Sequence, residues 1–98
     1  MKKMYFSISG MKHYYGASFL ERGDKVRLIK EPDNNYDKEA IRMEVDGLGK
    51  IGYIANSVGT VLGECYSAGR LYDHVNDGDT AVVKYVTDRG VVCEFKPK

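Results

Sequence analysis

The chain has 98 residues and a mass of 11.0 kDa, with 43% hydrophobic and 30% charged residues and a net charge of +1. A chain of this length is expected to form one domain over residues 1–98 and to bury a little over roughly 60% of its unfolded surface, which excludes two-domain enzymes and requires neither disulfide nor metal. The charge is uneven: Lys2, Lys3, Lys12, Arg22, Lys25, Arg27 and Lys30 face only Glu21 and Asp24 in residues 1–30, a balance of +5 that leaves −4 for the remainder. A basic third attracts phosphates, but it equally describes ordinary solvated strand faces.

Apolar residues alternate in Met4–Ile8, the period of a half-buried strand. His13, Tyr14 and Tyr15 follow after Ser9 and Gly10; consecutive side chains on an extended chain point to opposite faces, so at least one of these rings lies outside any core. Gly16–Leu20 carries no decisive pattern. Val26–Ile29 reads as a second strand, and residues 31–41 cross to a third through Pro32, Asp33, Asn34 and Asn35, which are loop formers, with a short helical turn over Asp37–Ala40. Ile41–Val45 and Ile51–Ile54 form a hairpin around Asp46-Gly47-Leu48-Gly49.

Asn56 or Ser57 is placed to cap a helix in which Val58, Val61, Leu62, Cys65 and Tyr66 recur at intervals of three and four, ending near Ala68-Gly69. Gly59 and Gly63 weaken that helix by about 1 kcal/mol each, so packing must hold it. Leu71–Val75 reads as a less regular strand, and Ala81–Thr87 with Val91–Phe95 as a closing hairpin around Asp88-Arg89-Gly90. The sum is a mainly β fold: a small OB-like or SH3-like barrel of about six strands with one helix packed on it.

No apolar run exceeds three residues, so neither a transmembrane helix nor a signal peptide is read. Cys65 and Cys93 lack CxxC spacing, and buried free thiols in a reducing cytoplasm are expected. His13 and His74 lie far apart, so no local zinc motif forms and no metal or cofactor is expected. Neither a GxSxG elbow nor a Gly-rich phosphate loop before a helix occurs, which points away from an enzyme. Glu31 with Asp33, and Asp77 with Asp79, read as solvated turn residues.

The informative stretch is Glu31-Pro32-Asp33-Asn34-Asn35-Tyr36-Asp37-Lys38-Glu39-Ala40-Ile41. In the plainest account Tyr36 covers the barrel end and Asp37 caps a helical turn by accepting the N–H of Glu39 or Ala40. The rings of His13-Tyr14-Tyr15 beside Lys12 suit surface tyrosines, and they also make a stacking platform for unpaired bases with a cation for phosphate.

Three blocks, FSISGMKHYYG, LERGDKVRLIKEPDNNYDKEAIRMEV and KIGYIANSVGTVL, together closely resemble the HIRAN domain, a module found at the N-terminus of some DNA-repair helicases and as a stand-alone bacterial protein. The resemblance covers residues 5 to 66 and implies an OB-like fold that binds single-stranded DNA at a free 3′ end, without catalysis of its own. Carried over by motif, Asp37 would accept the 3′-hydroxyl, Asn34, Tyr36 and Tyr53 would line the pocket, Tyr14 and His13 would stack on or flank the terminal bases, and Lys12 would meet the backbone. Lys12 stands where arginine is more usual, and His13 where a phenol or similar ring is common. The implied site is one to three nucleotides wide, in a DNA repair or replication setting. The alternative is a protein-interaction or targeting module that grips a larger DNA-processing enzyme with the same loop.

Overall fold

The period-two segments become six antiparallel strands in the computed structural model, which describes residues 3–57 and 59–97: β1 (Met4–Ser9), β2 (Lys25–Lys30), β3 (Ile41–Val45), β4 (Gly49–Ile54), β5 (Asp79–Thr87) and β6 (Gly90–Phe95). They close into a barrel in the order β1-β4-β3-β2-β5-β6, with β6 returning to β1. Inward positions of every strand meet in one core around Phe6, Leu28, Ile41, Met43, Ile51 and Phe95, all buried. Both expected hairpins form, β3 to β4 and β5 to β6.

The expected helix from Asn56 or Ser57 to Ala68-Gly69 does not form; Val58 lies outside the described residues, and the rest of the segment before Ala68 is turns and irregular chain. The reason is a gap in the barrel wall. β1 meets β4 only at Ile8↔Ile54 and Ser9↔Tyr53, which leaves the first part of β1 without a strand on that side. The chain after β4 fills the gap: Ala55 N donates to Ser7 O (2.9 Å), Leu62 N to Ser7 Oγ (3.2 Å) and Tyr66 N to Tyr5 O (2.7 Å). Backbone donors spent on β1 are not available for a helical ladder, and two glycines lower the cost of leaving one.

The single α-helix among the described residues, α1, begins where the predicted one was to end, at Ala68–Leu71, with Ser67 as its N-cap accepting from Arg70 N. A 3-10 turn over Tyr72–His74 continues it, so Leu71–His74 is helical and Val75 is its extended C-cap; the expected strand over Leu71–Val75 does not form. Leu71 at the end of α1 and Val75 just after the 3-10 turn are both buried and anchor the segment on the core. Asp37–Ala40 is a turn closed by Ala40 N donating to Asp37 O (3.1 Å), not a turn of helix.

One irregularity positions the site. The β3–β4 register runs Met43↔Gly52 and then Glu44↔Lys50, so Ile51 is an extra residue and the strand bulges. Residues three apart normally point to opposite faces of a strand; the bulge brings Lys50 and Tyr53 to the same outer face while Ile51 and Ile54 both enter the core. Gly52 is required there, because a Cβ would stand 2.9 Å from both Ile8 Cγ2 and Ser9 O.

Candidate functional site

The loop between β2 and β3 is rigid because its own side chains satisfy its backbone. Glu31 N donates to Ala40 O (2.8 Å), which shuts the loop at its base. Within it Asn34 Oδ1 accepts from Tyr36 N (2.8 Å) and Asp37 N (3.0 Å), an Asx turn that fixes both residues. Asp37 Oδ1 accepts from Glu39 N (2.9 Å), as expected of a local cap. Its Oδ2 accepts from Asn56 Nδ2 (2.8 Å), and Asn56 Oδ1 accepts from Gly69 N (2.8 Å) at the start of α1. Asp37 is therefore tied to two elements far away in sequence. Tyr36, 98% exposed, does not cover the barrel end.

A network below the loop sets the opposite wall. Glu31 accepts from Asn34 Nδ2 (3.0 Å), from Tyr53 OH (3.0 Å) and from Arg42 Nη1 (3.2 Å). Lys50 Nζ donates to Tyr53 OH (3.0 Å) and lies 5.3 Å and 5.1 Å from the ring centroids of Tyr14 and Tyr53. Burial pushes the Glu31 carboxyl upward, but hydrogen bonds from Asn34, Arg42 and Tyr53 and the charge of Lys50 outweigh it and hold it below the usual carboxylate range. Burial raises the Tyr53 phenol, which stays neutral and can donate to Glu31. The hydrogen bond to Tyr53 raises Lys50 against a smaller effect of burial.

Between the loop and Tyr53 lies an open cavity of about 610 Å³, within the range of small-ligand sites; Glu31, Arg42 and Lys50 stand behind Tyr53 and do not line it. It gathers Tyr14, Asn34, Tyr36, Asp37 and Tyr53, five of the residues singled out in the sequence. Lys12 and His13 are exposed and do not line it. They sit in a 3-10 turn over Met11–His13 that begins after Gly10 at φ 75°; buried Met11 anchors the turn, and His13 N and Tyr14 N bond back to Gly10 O and Met11 O. Tyr15 is also outside, its hydroxyl donating to Leu48 O (3.2 Å) and its ring edge-on to Phe19.

Six lining residues escaped sequence reasoning as site residues: Ser9, Ala40, Ile54, Asn56, Ser57 and Thr60. Asn56 and Ser57 drew notice only as helix caps; the pair follows the buried Ile54 and Ala55 at the end of β4. Ser57 Oγ and Thr60 Oγ1 stand 2.9 Å apart and present a hydroxylic wall. An acceptor-only carboxylate fixed among phenol rings suits a ligand that carries a planar ring and a hydroxyl donor.

Among the described residues no cluster of His, Cys, Asp or Glu is arranged to hold a metal, and no helix is long and apolar enough to cross a membrane. Cys65 and Cys93 are both free; burial pushes the Cys93 thiol up to about 12.

The family model described as the HIRAN domain matches residues 1–89. Among solved structures, the crystal structure of the HIRAN domain of human HLTF is similar in fold, with a TM-score of 0.61 at 20% identity, covering 94% of this chain and 69% of that one. No curated protein sequence matches the chain.

Proposed function

The chain belongs to the HIRAN domain family, a family of nucleic-acid-binding modules, and from that premise we propose that its cavity captures the 3′-hydroxyl end of single-stranded DNA. The observation that carries this reading is Asp37, a carboxylate pinned by Asn56 and Glu39 N on the wall of a cavity that also holds Tyr14, Tyr36 and Tyr53. Acids rarely contribute affinity for a polyanion. Here one has a task that an acid performs well, telling chain ends apart.

Each oxygen of Asp37 spends one lone pair inside the protein and keeps another for an incoming donor. A terminal 3′-OH donates to it in a charge-assisted bond, whereas a 3′-phosphate brings like charge and a 3′-deoxy end brings no donor. The rings hold the terminal base by stacking, which is tolerant of sequence, so the end is read and the base identity is not. The module binds and does not catalyse, the whole of residues 1–98 acting as one unit in DNA repair or replication.

The test is fluorescence anisotropy of a short 5′-labelled strand at low salt with 3′-OH, 3′-deoxy and 3′-phosphate ends. The 3′-OH strand is expected to bind best, and Asp37→Ala to lower its affinity about tenfold and level the three ends. Equal binding of all ends by the wild type, or none, overturns the reading and directs the search to a protein partner.

A further inference from the structure

Lys50 carries a charge without a carboxylate of its own. Among the described residues its ammonium has no ion pair within 4.0 Å, although it faces Glu44 across the β3–β4 ladder. Glu44 is already taken by Arg42 Nε (2.7 Å) and Arg27 Nη2 (3.6 Å). Glu31 is reached only through the Tyr53 hydroxyl, which accepts from Lys50 and donates to Glu31. The bulge at Ile51 turns Lys50 to the same side as Tyr53, and the ammonium lies beside Tyr14 and Tyr53, two of the cavity's rings. Neither Lys50 nor Lys12, the cation that the sequence offered for the backbone, lines the cavity itself, but Lys50 touches rings that do.

We propose that Lys50 is the phosphate contact of this site, its ammonium pairing with the phosphodiester that joins the last nucleotides of the bound strand. The inference rests on the reading of the cavity as a single-strand end site and adds the cation that site needs. A nucleotide whose base stacks on Tyr14 or Tyr53 carries its phosphate past the edge of the ring, and the cation already lies at those rings. An ammonium held by a neutral phenol keeps its full charge, and its remaining N–H donors are suited to phosphate oxygens. The phenol partners raise the Lys50 pKa, so the charge persists throughout the neutral range. The basic residues of the N-terminal third then act at a distance, steering rather than touching.

The test is the salt dependence of binding. A 5′-labelled hexathymidylate with a 3′-OH or a 3′-deoxy end is titrated by anisotropy between roughly 50 and 200 mM salt with wild type, Lys50→Met, Lys50→Arg and Lys25→Met. Lys25 is exposed at the end of β2 away from the Asn34–Asp37 loop. Lys50→Met is expected to weaken both ends about tenfold, leaving their ratio intact, and to make the log–log salt slope shallower by about 0.7. Lys50→Arg keeps the wild-type slope, and Lys25→Met keeps slope and affinity. A Lys50→Met protein with the wild-type slope overturns the assignment even if its affinity falls, because a packing defect releases no fewer counterions; so does a Lys25→Met slope as shallow as that of Lys50→Met. In either case an intact preference for the 3′-OH leaves the end-capture reading standing. Failure of the wild type to bind the strand overturns both.

Discussion

Asn56 Nδ2 stands 2.8 Å from Asp37 Oδ2 while Asn56 Oδ1 accepts the Gly69 N–H at 2.8 Å, so one amide side chain fastens the cavity's carboxylate to the first turn of α1. Asn56→Asp keeps an acceptor for Gly69 but sets two carboxylates face to face. They can bond to each other only by sharing a proton, which raises the apparent pKa of the pair. If the cavity holds a 3′-hydroxyl end, the variant is therefore expected to lose most of the preference for a 3′-OH over a 3′-deoxy end near pH 8 and to regain it toward pH 5. Anisotropy titrations of the two strands across that range check it.

Glu31 makes a prediction about stability against pH. Its folded pKa is lowered, so its contribution is fully present above the unfolded carboxylate value near ~4.3 and is lost as pH falls through the lower folded value. Glu31→Gln removes the charge that pairs with Arg42 and weakens the anchor of Asn34 and Tyr53. It is expected to cost about 1–2 kcal/mol at neutral pH and much less near pH 3. Urea unfolding at both values measures the difference.

Tyr36 separates stability from binding. At 98% exposure its ring has almost no contact to lose, so Tyr36→Ala is expected to change unfolding free energy by less than about 0.5 kcal/mol. If the cavity holds a strand end, the same change lowers single-strand affinity about tenfold through lost stacking. A thermal melt and a titration on one preparation decide both points.

Gly52 tests the bulge. Gly52→Ala drives a methyl group against Ile8 Cγ2 and the Ser9 carbonyl at 2.9 Å, where β1 and β4 meet. Backbone cannot retreat as a long side chain can, and the expected cost is about 2–3 kcal/mol in urea unfolding.

Three of the six strands were legible because half-burial writes a period of two into residues such as Val26, Leu28, Met43 and Val45, and the other three through β-forming residues between turn signals. The helix was misplaced for a reason that no local pattern contains: the spacing of Val61, Leu62, Cys65 and Tyr66 is real, but Ser7 and Tyr5 on β1 claim the backbone donors of that segment. The Asn34–Asp37 loop was legible through its turn chemistry, and Tyr14 and Tyr53 through the family pattern. Lys12 and His13 were not separable from Tyr14 in sequence, since only the 3-10 turn after Gly10 decides which of three neighbours faces the cavity. Lys50 was invisible because a strand without a bulge would have sent it to the face opposite Tyr53.

The ladder between the first and last strands begins at Met4↔Phe95, while the other end of β1, at Ser9, reaches the cavity. The start of β1 and the end of β6 thus lie side by side, at the end of β1 away from the cavity. A barrel wired in this way can be spliced into a surface loop of a larger machine, both connections leaving side by side, without a linker passing over the site. The same adjacency makes the order of the strands negotiable: linking the end of β6 to the start of β1 and opening the chain at the exposed Asp46–Gly49 turn would rearrange the sequence and leave the ladders between strands in place.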